Sequence, residues 1–237
     1  MSVDIIKKLK AEIKKQDKPS NRINYQQFHK EKLKEPTGLK APVLRKISNE
    51  IYRGIDDKSK KNILKIGDML LEDGTRYFLF FAFEWAGKVK KDFEKNDFPR
   101  FERWLKKYVN NWGACDHLCT GPLGHLVLLY PELSAKTKKW TTSKNLWLRR
   151  AAAVSLIVPV RNKLLLDEVF QTADNLLSDS EDLVQKGYGW MLKVAGDRYP
   201  DEVFDYVMKN KAIMPRTALR YAIEKYPLAK RKQAMVK

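Results

Sequence analysis

An indole and a carboxylate stand four residues apart in the stretch Asn110-Asn111-Trp112-Gly113-Ala114-Cys115-Asp116-His117. In the first turns of a helix that spacing sets Trp112 and Asp116 on one face, about one turn apart. Two later stretches look like companions, Trp147-Leu148-Arg149-Arg150 and Gly187-Tyr188-Gly189-Trp190. A single carboxylate beside two indoles suits one reaction in particular. Glycosidic cleavage passes through an oxocarbenium-like sugar and ordinarily takes an acid for the leaving group as well as a carboxylate. If the base is already cationic, as after N3 or N7 alkylation of a purine, the acid is not needed. An ionised Asp116 would then stabilise the sugar cation and orient water, with the faces of Trp112 and Trp190 stabilising positive charge. Basic surroundings are expected to keep Asp116 charged.

Each of these residues also has a plainer reading. Asp116 could be an acid in a first helical turn, held there by the helix dipole. The two tryptophans could be core residues. Gly187 and Gly189 lie inside a helical pattern, where each costs about 1 kcal/mol relative to alanine. Their missing side chains let something come close, either a nucleic-acid backbone or a tightly packed neighbouring helix. Arg149 and Arg150 follow a connection rich in lysines and hydroxyls. Arg150 suits a bidentate phosphate clamp, with Arg149, Lys138, Lys139, Thr141, Thr142, Ser143 and Lys144 adding charges and hydroxyl donors. Cys115, His117, Cys119 and His125 lack the paired spacing of a zinc ribbon or finger, so no metal site is expected, and the cysteines read as small apolar residues behind the site.

The charge supports a polyanion as partner. Against 29 acids stand 47 Lys and Arg, a net +18 in 237 residues. The basic residues run from Lys7 to Lys237 and are interleaved with six Trp and ten Tyr. That spread fits a long footprint on nucleic acid, whereas a membrane binder would concentrate its charge on one amphipathic helix. No stretch approaches the roughly 18 apolar residues of a membrane span, and the N-terminus lacks a signal-peptide core. Two cysteines form no disulfide framework. The expectation is a cytoplasmic monomer in one domain, residues 1–237.

Helices must position these groups. Val3, Ile5, Ile6, Leu9 and Ile13 form a narrow stripe over 3–16. The polar, basic stretch 21–35 (Tyr25, Phe28, His29, Lys30, Lys32, Lys34) is read as helical up to a break at Pro36-Thr37-Gly38. Residues 75–87 are apolar nearly all round, as in a buried helix. Phe101, Trp104, Leu105 and Tyr108 give the next inward face. An apolar helix follows Gly121-Pro122, and another spans 145–157 with a break expected at Pro159. Helices at about 163–177, 181–196, 201–209, 215–224 and 228–235 complete the chain. All ten prolines fall at segment ends and no alternating pattern recurs, so the class is all-α. Arg76, Trp112, Arg150 and Lys186 each begin the more apolar member of a helix pair, at intervals of 36, 38 and 36 residues. That period predicts a HEAT-like helical-repeat solenoid with a concave basic face, on which Trp112, Arg150 and Trp190 become neighbours.

With the repeats, the Trp-x-x-x-Asp at 112–116, the Trp-Leu-x-Arg at 147–150 and the Gly-Trp at 189–190, the chain resembles AlkD-type DNA alkylation repair proteins over most of its length. These are HEAT-like-repeat glycosylases that excise 3-methyladenine and 7-methylguanine from duplex DNA in base excision repair. The resemblance implies that Asp116 is the catalytic carboxylate, that Trp112 and Trp190 pack against the lesion's sugar, and that Arg150 contacts the DNA backbone. It further implies that the damaged base is not flipped into a pocket, and that neither metal nor organic cofactor takes part. The stretch departs from the family's usual form, which has a second Trp before the catalytic pair and Asp-Ser-Val after it. The alternative is a catalytically silent HEAT-repeat scaffold that recognises bent or branched DNA by shape and charge.

Overall fold

The computed structural model describes residues 2–28, 32 and 35–236, with side chains in the first helix from Asp4 onward. His29, Lys30 and Lys34, named above, lie outside the described residues, as do the side chains of Val3 and Phe28. Backbone contacts group the chain into two compact units, residues 1–89 and 90–237.

In the first unit, α1 (Ser2–Gln16) buries Ile5 and Leu9 of the expected stripe. It packs on α2 (Ala41–Arg53), which carries Pro42 in its first turn. The segment between them corrects the helix read over 21–35. It holds β1 (Arg22–Asn24) and β2 (Thr37–Leu39), an antiparallel pair with Arg22 opposite Leu39. Side chains hold the β2 backbone in place of a helical ladder. The Tyr25 hydroxyl donates to Leu39 O at 2.7 Å, the Tyr77 hydroxyl accepts from Leu39 N at 2.9 Å, and Arg76 Nη1 donates to Thr37 O at 2.8 Å. Next come α3 (Lys60–Asp73), capped by the Ser59 hydroxyl and closed by Gly74 at φ 74°, and α4 (Phe78–Lys88). As its composition requires, α4 buries Phe78, Phe81, Phe83 and Trp85, and the Trp85 indole N–H finds Ser48 Oγ at 2.9 Å.

The second unit runs α5 (Phe98–Tyr108), α6 (Trp112–Thr120), α7 (Pro122–Leu129), α8 (Ser134–Lys138), α9 (Leu146–Val154), α10 (Ile157–Arg161) and α11 (Leu166–Leu176). It continues with α12 (Asp182–Gly196), α13 (Pro200–Asn210), α14 (Arg216–Ala222) and α15 (Leu228–Met235). The break expected at Pro159 falls earlier, at Ser155-Leu156. Pro159 lies in the first turn of α10, where its missing N–H would have had no intrahelical partner anyway. Helices α6, α9, α12 and α14 form a layer in which each packs on the next. The fold is an all-α helical repeat, and the layer carries the residues singled out above.

Candidate active site

Asn111 fixes where α6 begins. Its side-chain oxygen accepts from Ala114 N at 2.9 Å, which makes Trp112 the first helical residue and sets Asp116 one turn further on. The opposite face of α6 is core, with Cys115, Leu118 and Cys119 fully enclosed. In α9, the Asn145 side chain accepts from Trp147 N at 2.8 Å, and Arg150 follows in the second turn.

Arg150 closes on Asp116 as a fork. Nε meets Oδ1 and Nη2 meets Oδ2, both at 2.8 Å, while Nη1 donates to the Leu183 carbonyl on α12. The Arg150 side chain is 6% exposed and that of Asp116 18%. The Asp116 side chain therefore keeps some contact with the surface and that of Arg150 very little. Burial raises the Asp116 carboxyl above its ordinary value, and the two bonds from Arg150 oppose this without cancelling it. The expected basic surroundings amount to this one guanidinium, and burial outweighs it. For Arg150, burial works against the charge; Asp116, with Cys115 and Cys119 behind it, more than restores it, and the pKa rises.

Both glycines of α12 make room for protein. A β-carbon on Gly187 would lie 3.2 Å from Arg150 Cγ and 3.4 Å from its Nη1. On Gly189 it would lie 2.7 Å from Tyr221 Cβ and 2.8 Å from Ala218 O. Of the two readings left open for this pair, close packing is the one the structure shows. Trp190 stands one turn beyond Lys186 and Gly187 and is partly exposed, as is Trp112. Asp116 and Arg150 thus meet directly, and Trp190 belongs to the helix that Arg150 touches.

The expected phosphate contacts divide. Arg150 spends its fork on Asp116 and so has no free edge for a phosphate. Arg149 bonds Asp179 Oδ2 at 2.6 Å and the carbonyls of Ser143 and Lys144 at 2.8 and 3.2 Å. Lys138 reaches Gln171 Oε1 at 2.7 Å, Thr141 is buried and donates to Lys138 O, and Ser143 Oγ accepts from Asn145 N. Lys139, Thr142 and Lys144 are exposed. Sequence reasoning did not find Asp179 or the Leu183 carbonyl as partners; for Gly187 it allowed a close approach without naming Arg150 as the group that makes it.

Among the described residues, no three His, Cys, Asp or Glu side chains group as metal ligands would. His125 is engaged elsewhere, with Nδ1 2.8 Å from Gly121 O and Nε2 2.8 Å from Lys90 Nζ. Burial lowers its pKa, which fits a neutral ring donating to the carbonyl and accepting from the ammonium. No described helix is long and apolar enough to cross a membrane.

Comparison with known proteins bears on this arrangement. The family described as DNA alkylation repair enzyme matches residues 9–226. No curated protein sequence matches. Three solved structures resemble the fold. A predicted DNA alkylation repair enzyme from Enterococcus faecalis superposes with TM-score 0.69 at 17% identity, covering 81% of this chain and 88% of its own. AlkD2 from Streptococcus mutans gives 0.56 at 19%, covering 77% and 88%. The smu.31 protein, also from Streptococcus mutans, gives 0.56 at 20%, covering 77% and 90%.

Proposed function

The chain belongs to the DNA alkylation repair enzyme family, and on that footing we propose that it is a DNA glycosylase hydrolysing the N-glycosidic bond of cationic alkylpurines, such as 3-methyladenine and 7-methylguanine, in duplex DNA. The observation that carries the reading is the Asp116 carboxylate, locked in orientation by Arg150 while its side chain stays partly exposed, on the same helix as Trp112. In this mechanism the alkylated base leaves as a neutral purine. The sugar cation forms against Asp116, with the Trp112 and Trp190 faces beside it. Water adds to C1′ and gives up its proton to solvent or to the carboxylate. In this reading the base stays unflipped, and Asp116 meets the sugar from outside the stack.

Within this reading Arg150 is a positioning residue. It holds the carboxylate's rotamer and favours its charged form, while phosphate contact falls to Lys139, Lys144, Thr142 and the other donors of the connection before α9. Duplex DNA is the partner. One observation favours a second reading, a catalytically silent scaffold for bent or branched DNA: both Asp116 oxygens already accept hydrogen bonds from Arg150. Release of 7-methylguanine from methylated duplex DNA separates the two. The wild type is expected to release it and Asp116→Asn to lose that release; equal release by both removes Asp116 from the mechanism, and none by either favours the scaffold.

A further inference from the structure

Three corners of the second unit are built alike. Tyr130-Pro131, Tyr199-Pro200 and Tyr226-Pro227 each stand where one helix of the α7, α12, α14 series ends and the next segment begins. Tyr130 and Tyr199 share one backbone turn, with φ −131° and ψ 77° in the first and φ −136° and ψ 64° in the second. The proline that follows restricts the tyrosine to such non-helical angles. Each hydroxyl reaches back to the corner before its own. Tyr130 donates to Phe93 O at 3.1 Å, Tyr199 to Lys163 O at 2.8 Å and Tyr226 to Pro200 O at 2.7 Å. Gly196 makes room for the last, since a β-carbon there would lie 2.9 Å from the Tyr226 hydroxyl. A tyrosine latch thus ties each of these corners to its predecessor.

The corner between α10 and α11 breaks the pattern. Leu164-Leu165-Leu166 stand where the others carry Tyr-Pro. The backbone turns with Lys163 at φ 62° and Leu165 at φ 65°, a left-handed region that side chains disfavour. Its amides and its asparagine bond inside their own corner. Lys163 N donates to Val160 O at 3.0 Å, Leu164 N to Pro159 O at 3.1 Å and Asn162 Nδ2 to Val158 O at 2.8 Å. Among the described residues, no hydrogen bond or ion pair joins 161–166 to 129–133. Leu129 and Leu164, at equivalent places in the two corners, are 48% and 41% exposed.

The joint between α6-α7 and α9-α10 is therefore fastened at one end only. There the Arg150 fork grips Asp116, and further along Gly124 lets α7 close on α10, its β-carbon position lying 2.9 Å from Val158 Cγ2. We propose that this joint is a hinge, pinned by Asp116–Arg150 and by the Gly124–Val158 contact, free at the Leu129 and Leu164 corners, and worked by the duplex that lies along the layer. Packed elements of this kind move between discrete arrangements about a few residues. Motion at the free corners turns α9, and the Arg150 fork with it, against the Asp116 carboxylate. The DNA reading supplies only what drives the hinge; the missing latch stands without it.

Nitroxide pairs on the full chain test the joint by electron paramagnetic resonance. Cys115 and Cys119 are fully enclosed, so label goes to introduced cysteines, with the wild type labelled in parallel as background. Leu129→Cys/Leu164→Cys spans the unlatched joint, and Leu164→Cys/Arg198→Cys spans the joint latched by Tyr199. The first pair is expected to give the wider distance distribution, and Tyr199→Phe is expected to widen the second. Arg150→Lys, which keeps the charge and loses the fork, is expected to widen the first further. Equal widths across the two joints overturn the proposal, as does a second pair that Tyr199→Phe leaves unaltered. Undamaged duplex DNA, its binding confirmed by fluorescence anisotropy, is expected to shift the first pair and not the second. Bound DNA that moves neither pair, or both equally, also overturns it. No base release is read, so a chain that hinges on bound duplex and excises nothing refutes the glycosylase reading alone.

Discussion

Gly187 lies against the shank of Arg150, so that a β-carbon there would come within 3.2 Å of Cγ and 3.4 Å of Nη1. The guanidinium that orients Asp116 is therefore seated on a missing side chain.

Gly187→Ala is expected to separate stability from activity. Alanine gains about 1 kcal/mol of helix propensity, which offsets the strain of moving the Arg150 side chain by a few tenths of an ångström. Melting should change little, while kcat/KM for base release falls about tenfold, short of the ~100-fold associated with a 1 Å misplacement. Unaltered kcat/KM at unaltered stability would show that the seat does not matter to the chemistry.

The acid limb of the pH profile should report the Asp116–Arg150 pair. Asp116 has to be ionised to act, and burial raises its pKa, so activity should be lost as pH falls through a value above that of an ordinary aspartate. Arg150→Lys replaces a fork by one ammonium and weakens the opposing pull. The limb should then move to higher pH, with kcat affected more than KM. The same shift fixes the sign for folding. A raised carboxyl pKa favours the folded chain below the unfolded value, and that contribution is lost as pH rises through the folded one. If the limb stays put in Arg150→Lys, the arginine is not holding the carboxylate's charge.

Neighbouring cations should behave as different classes. Arg149, 17% exposed in its side chain, ties Asp179 to the Ser143 and Lys144 carbonyls. Its loss leaves Asp179, 7% exposed, short of its partner, and Arg149→Ala should cost about 3–5 kcal/mol in urea unfolding. Lys139→Ala and Lys144→Ala should leave unfolding within about 0.5 kcal/mol of wild type, and each should reduce the salt slope of DNA binding by about 0.9. A reversed pattern, with Arg149 steering DNA affinity and the lysines steering stability, would overturn the assignment.

Local sequence signals carried most of the fold. Asn111 before Trp112 marks the start of α6, and Pro200, Pro215 and Pro227 lie at or next to the starts of α13, α14 and α15, because caps and prolines act within a few residues. Strands β1 and β2 were not legible: three residues each is too short for an alternating pattern, and their support comes from Arg76 and Tyr77 far along the chain. At the site, the types and spacing of Trp112 and Asp116 were legible, and the destination of Arg150 was not. An arginine beside a lysine-rich connection reads as surface, and only the packing of α9 against α6 and α12 brings its fork to a carboxylate 34 residues earlier.

Arg150 stands on α9 and bonds both α6, through Asp116, and α12, through the Leu183 carbonyl. In a stack of repeats, coupling ordinarily extends only from one unit to the next. One side chain here joins the unit before its own to the unit after it. Spreading α6 from α12 must stretch that link at one end or the other, so bending this segment acts on the same guanidinium that holds the Asp116 carboxylate. A duplex that flexes the layer as it binds would thereby set how tightly the acid is held.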